Sequence, residues 1–158
     1  DKLSEGEYPF VIYEWLYSGV RKDNVLQVVT KDGFNNKTFL ELIYESEDGD
    51  STKEIKSADL DEIHKSMWQK AKEEYRGEAE QIIGYKIENL KYSNDAREHI
   101  LRNRIATEKN SRIVTMKKAE LENLQRQFKE KIDLLTKSIE SSDIITKKLV
   151  VGILEVRN

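Results

Sequence analysis

Between Ala58 and Glu140 apolar residues recur every three or four positions, while the segments on either side alternate or run apolar as strands do. In the first run Leu60, Ile63, Met67, Ala71, Tyr75, Ala79, Ile83, Ile87 and Leu90 keep the helical step without a miss. Asp59-x-x-Glu62 supplies a start signal. Gly77 and Gly84 each cost about 1 kcal/mol relative to Ala inside a helix. "KYSND" reads as a stop followed by the next cap, so a second helix is expected from Asp95, with Glu98 three residues on. That run carries Ile100, Leu101 and Ile105, weakens at "EKNSR", and resumes with Ile113, Met116, Leu121, Leu124, Phe128, Ile132, Leu135 and Ile139. Whether it is continuous through 108–112 is left open by the pattern. The last six positions are spaced 3, 4, 4, 3, 4, a heptad seam with one four-residue insertion. A helix of about 30 residues is about 45 Å long, and two of them joined by "YSND" are most simply an antiparallel hairpin.

The flanks read differently. "YPFVIYEWLYSG" carries large residues in both alternating sets, so this strand is expected to be covered on both faces, with Pro9 near its start and Ser18-Gly19 as its break. "NVLQVVTKDG" is a second strand ending in a turn at Asp32-Gly33, close enough for an antiparallel hairpin. "NKTFLELIYES" could be a third strand. The capping pattern Thr38-x-x-Glu41, with Leu40, Ile43 and Tyr44 on one face, favours a short helix. "ESEDGDSTKE" is an acidic, turn-rich loop and the candidate for a mobile segment. The chain closes on "KKLVVGILEV". A helical hairpin returns the chain to where it left the sheet, so this segment can pair with the first strands and close an open edge. Leu149, Val151 and Ile153 then face one way and Val150, Leu154 and Val156 the other, with Gly152 at a bulge or beside a close neighbour. The expected architecture is α+β: a small antiparallel β base from residues 1–57 and 141–158, carrying a long antiparallel helical hairpin, coiled-coil in pattern, over 58–140.

Composition supports an extended rather than a globular form: 36% of the 158 residues are charged and 37% apolar. The net charge of −3 hides an asymmetry. Residues 1–64 hold 7 Lys/Arg against 15 Asp/Glu, and the remainder hold 20 against 15. The densest positive stretch contains Arg97, Arg102, Arg104, Lys109, Arg112, Lys117 and Lys118 against Glu98 and Glu108. It is either a partner surface or, the commoner case, a solvated helix face. If it touches nucleic acid, Arg97, Arg102, Arg104, Lys109 and Arg112 are the expected phosphate contacts. No apolar run is long enough for a membrane span and no signal peptide is visible, so a cytoplasmic protein, monomeric as this chain, is expected. The first residue is Asp1, which suggests a fragment of a longer protein.

Catalytic chemistry finds little to work with. There is no cysteine, hence no disulfide, thiolate zinc site or cysteine nucleophile. Asp95 and His99 have a two-ligand spacing, but the only other histidine is His64, and no metal or other cofactor is expected. Phosphate-loop, nucleophile-elbow and zinc-protease motifs are all missing. The carboxylates sit in helical charge patterns such as Glu73/Glu74, and no enzyme is expected. Trp68 and Tyr75, one helical repeat apart, are expected in the core; Tyr85 and Tyr92, at the same spacing, are expected along the hairpin seam.

The order "FVIYEWLYSG", "DNVLQVVTKDG", "FLELIYES", a charged helical hairpin, then "KKLVVGILEV" resembles the C-terminal region after the second motor lobe in bacterial and archaeal SWI/SNF-type helicases. These include the ATPase associated with bacterial RNA polymerase. The resemblance implies a non-catalytic accessory module whose ATP-binding motor lies upstream. Its partners would be the motor lobes, duplex nucleic acid, or a protein such as RNA polymerase. A protein-interaction or scaffold module using the coiled-coil arm is the alternative reading.

Overall fold

The computed structural model describes residues 3–33, 35–49 and 54–157. The element order is β1 (Gly6–Ser18), β2 (Asp23–Val29), α1 (Asn36–Glu45), α2 (Ala58–Thr107), α3 (Ser111–Glu140) and β3 (Asp143–Val156). The chain divides into two compact units, residues 1–74 with 143–158 and residues 75–142.

The first unit is built on a three-stranded antiparallel sheet of order β2-β1-β3, so both ends of the chain contribute to it, as expected. β1 is central because both of its alternating residue sets are apolar enough to be covered. Phe10 and Ile12 pack on one side with Val28, Leu154 and Phe39 of α1. Val11, Tyr13 and Trp15 are buried on the other, where Leu60 and His64 of α2 are buried too. Pro9 precedes Val11–Tyr17, the stretch of β1 paired on both sides.

α1 is a helix, but it begins before Thr38. Asn35 is the cap, its side chain accepting from the backbone N–H groups of Lys37 and Thr38. The next residue, Asn36, donates from Nδ2 to the Leu26 carbonyl (2.7 Å) and accepts from the Val28 N–H. One side-chain amide thereby satisfies backbone groups on the outer edge of β2, where an exposed edge invites unwanted pairing. Of the acidic loop expected to be mobile, residues 50–53 lie outside the described residues.

β3 pairs with β1 along its whole length, with one irregularity between Ile12 and Tyr13. Ile12 is opposite Val150 while Tyr13 is opposite Lys148, which leaves Leu149 as the extra residue. The bulge therefore sits at Leu149 and not at Gly152. Gly152 has the other expected role. A Cβ there would lie 2.6 Å from Cζ of the buried Phe10 ring. Gly152→Ala is expected to destabilise by about 1–3 kcal/mol through overpacking, read as a lower urea midpoint; an unchanged midpoint would mean that the ring yields freely.

The long helices depart from expectation at their junction. α2 is a single 50-residue helix. "KYSND" does not stop it: residues 91–95 are helical, and Asn94 faces inward and is buried. The break comes at residues 108–110, at the weak patch, where Asn110 caps α3 by accepting from the Arg112 N–H at 3.0 Å. Polar residues at 92–95 lower helix propensity only slightly, whereas Asn110 offers the backbone a cap at which to restart.

In the second unit the half-buried positions of α2 include Ile87, Leu90, Glu98, Leu101 and Ile105, with Asn94 buried among them. Those of α3 include Val114, Lys117, Leu121, Leu124, Phe128, Ile132, Leu135 and Ile139. The heptad spacing from Leu121 onward matches the sequence reading. Before it, Val114 and Lys117 occupy the stripe, and Ile113 and Met116 are exposed, because the step from Met116 to Leu121 breaks the period. Leu90, Asn94 and Arg97 share one cavity with Leu124, Phe128 and Lys131. Arg97 and Leu101 share a second with Glu120 and Leu124, so the order of lining residues runs in opposite chain directions on the two helices.

Candidate functional site

Two groups of side chains bear on function. The five cations named from the sequence, Arg97, Arg102, Arg104, Lys109 and Arg112, are all exposed. They flank the connection between α2 and α3. Arg97 and Arg104 are seven residues apart and share a helix face, while Arg102 is turned about 140° from Arg97, so the five do not form one stripe. Among the described residues only Arg102 of the five has a carboxylate within 4 Å, Glu98 at 3.9 Å. The connection itself is held by Glu108, whose carboxylate accepts from the backbone N–H groups of Lys109 and Asn110, both at 3.1 Å. The Lys109 side chain takes no part in that turn.

The second group was not singled out from the sequence. It lies in the first unit, where the start of α2 meets the face of β1 and β3. Two residues apart on β1, Tyr13 and Trp15 project to one side. Their register partners on β3 are Lys148 and Thr146, and Asp61 and His64, three apart, lie on one face of α2. The Tyr13 hydroxyl donates to Asp61 Oδ1. Asp61 Oδ2 accepts from Lys148 Nζ (3.0 Å) and from Ser57 Oγ (3.1 Å). Trp15 Nε1–H donates to His64 Nε2 at 2.9 Å, Thr146 Oγ1 lies 3.2 Å from the same nitrogen, and the Tyr13 ring stacks on the imidazole at 3.4 Å.

This geometry fixes protonation. An indole N–H can only donate, so His64 Nε2 is an acceptor and the ring is neutral, its proton on Nδ1. With 5% of its surface exposed, His64 has its pKa lowered by burial, partly opposed by the Asp61 charge. The Asp61 carboxyl is held below its ordinary value chiefly by the Tyr13 hydrogen bond, with help from Lys148 and Ser57. Burial, then the bond to Asp61, pushes the Tyr13 phenol well above its ordinary value. These bonds tie β1 and β3 to the start of α2, so the arrangement clamps helix to sheet. A second clamp lies a few residues along: Trp68 Nε1 donates to the Ile144 carbonyl (2.8 Å), and Lys72 sits 4.3 Å from the Trp68 ring centre and 3.2 Å from the Asp143 carboxylate.

The remaining sequence candidates separate. Tyr75 is buried, as expected, while Trp68 is half-buried and falls short of the expected core position. Tyr85 and Tyr92 do not line a seam: they are 62% and 82% exposed, because they sit about 200° around the helix from the half-buried Ile87 and Leu90, respectively. His99 is exposed, and its Nε2 is 3.3 Å from Asn103 Nδ2. Among the described residues no group of three or more His, Asp or Glu side chains could hold a metal ion, and no helix is long and apolar enough to cross a membrane. A sequence signal for the clamp did exist: two hydrogen-bonding aromatics two apart in one strand, and a histidine four residues after Leu60 in a helical stripe. Comparison with family models, with curated proteins and with solved structures gives no match to this chain.

Proposed function

We propose that this chain is a non-catalytic accessory module of a SWI/SNF-type helicase, docking on the motor lobes and touching nucleic-acid phosphates near the connection between α2 and α3. The observation that carries the second half is the exposure of Arg97, Arg102, Arg104, Lys109 and Arg112, four of them without a nearby carboxylate among the described residues. The order of strands, helices and terminal strand supports the first half through its resemblance to the region after the motor. Cations spread around a helix suit a polyanion contacted through its backbone, not base-edge readout. In an acidic chain such binding is weak and steeply salt-dependent. Reversing Arg102, Arg104 and Arg112 to Glu is expected to abolish low-salt binding to two unrelated duplexes about equally, measured by fluorescence anisotropy. Unchanged binding, or a loss confined to one duplex, would remove the phosphate contact from the account.

A second reading, a protein-interaction module, is favoured by Tyr85 and Tyr92. Two largely exposed tyrosines seven residues apart offer amphipathic contact area on an otherwise charged helix. Capture of RNA polymerase or of the motor lobes that Tyr85→Ala and Tyr92→Ala together eliminate, with duplex binding intact, would favour it.

A further inference from the structure

Asn94 is the one buried polar side chain in the apolar line that runs from Ile83 to Ile105 on α2. It is 6% exposed. Its Nδ2 reaches Glu98 Oε1 at 3.3 Å, but no protein donor among the described residues reaches its Oδ1. A buried amide oxygen without a donor costs about 1–3 kcal/mol. The cavity that Asn94 lines has a volume of about 30 Å³ and is bounded by Ser93, Gln127 and Lys131 as well as by Leu90 and Phe128. That volume admits one water molecule, and the polar wall can give it the two to four partners a buried water needs.

We propose that Asn94 and a single bound water form a polar checkpoint that fixes how α2 pairs with α3. A seam of Leu, Ile and Val alone tolerates sliding by one repeat and exchange between copies, since apolar contact is non-directional. A lone buried Asn removes that freedom, because a shifted register leaves its amide with fewer polar partners. Here the native register sets Asn94 beside both Gln127 and Lys131, whereas a slide by one heptad replaces that pair by Glu120 and Leu124 or by Leu134 and Ser138, with a leucine in one of the two places either way. The checkpoint lowers stability and, in exchange, keeps the pairing single and intramolecular. It stands whether or not the module serves a helicase.

The test uses the full chain. Asn94→Leu and the smaller Asn94→Val are made alongside the parent, each also carrying Ile100→Cys and Asn123→Cys, an exposed pair that lines the other cavity between the two helices and lies outside the checkpoint. The chain has no native cysteine, so these two report alone. Urea unfolding is followed by helix circular dichroism, and the thiols are joined by a bifunctional maleimide. Both Asn94 variants are expected to unfold at higher urea than the parent. Both are expected to divert cross-linking from the single intramolecular product to intermolecular species that grow with concentration. A midpoint at or below the parent's in both variants would overturn the proposal, since the amide would then be stabilising where it sits. A raised midpoint with cross-linking still wholly intramolecular would overturn it equally, since specificity would not depend on Asn94.

Discussion

A chain ending at Thr146 is expected to lose the cooperative unfolding transition of the sheet unit. Removing residues 147–158 takes away the partners of Gly6–Glu14 along one side of β1. It uncovers Phe10, Val11 and Ile12, all buried in the intact chain. Leu154 leaves the cluster around Phe39, and Lys148 leaves the Asp61 carboxylate. Each large apolar side chain returned to water costs about 1.5–3 kcal/mol, and several such losses match the whole stability of a typical domain, about 5–15 kcal/mol. Near-ultraviolet circular dichroism reports Trp15 and Trp68, whose indole N–H groups bond to His64 and to the Ile144 carbonyl, and is expected to collapse while much of the helical signal persists. A truncated chain with an unchanged melting temperature and tryptophan signal would show β3 to be dispensable.

Acid is expected to weaken the protein in two stages, and replacing His64 to remove the first. The folded His64 pKa lies below 6.5, so between that folded value and 6.5 the unfolded chain binds more protons than the folded one. Stability is therefore fully present above about pH 6.5 and falls as pH drops below it. The groups that face His64 titrate elsewhere. Asp61 has a folded pKa below 3.8, so its contribution is present above that value and lost in stronger acid. Tyr13 has a folded pKa raised above 10.0, so its contribution is present below pH 10 and lost as alkali ionises it. His64→Leu leaves the Trp15 N–H without its acceptor, at a cost of about 1–3 kcal/mol near neutrality. The same change removes the fall below pH 6.5 that the buried imidazole causes. Urea midpoints across pH 4–8 for parent and variant check both statements. A parent whose stability is level from pH 7 to 5 would contradict the buried, neutral imidazole.

What could be read from the sequence was what periodicity encodes. Strands at both ends, the helical stretch between them and the two-sided burial of β1 follow from spacings of two and of three or four, which geometry converts directly into faces. What escaped was decided by single hydrogen bonds. "KYSND" contains residues that favour caps, yet Asn94 is spent inside the helix, and the break falls where Glu108 and Asn110 serve the backbone instead. Thr38 resembled a cap, but Asn35 is one. The clamp left only a faint signal, the paired aromatics of β1 and the histidine after Leu60, for another reason. Tyr13, Asp61, His64, Thr146 and Lys148 come from three segments of the chain, and each alone is an ordinary strand or helix residue. The five cations were legible as a charge count; their scatter around α2 and the connection was not.

The extra residue at Leu149 has an evolutionary consequence. It switches the reading phase of β3. Even-numbered residues from Val150 onward lie on the face of Phe10 and Ile12, whereas Ile144, Thr146 and Lys148, also even, lie on the face of Tyr13 and Trp15. Loss of Leu149 itself would restore a regular ladder and keep every present pair, Ile12 opposite Val150 and Tyr13 opposite Lys148. Loss of Lys147 is different: with the bulge and the terminal half held in place, it would bring Ile145 opposite Trp15 in place of Thr146 and set an aliphatic side chain against His64. Substitutions in this strand, and even a deletion at its bulge, are thus local events, while a deletion between Ile144 and Lys148 rewires the clamp. Descendants of this chain should vary at position 149, in identity and in presence, but keep the count of residues from Ile144 to Lys148.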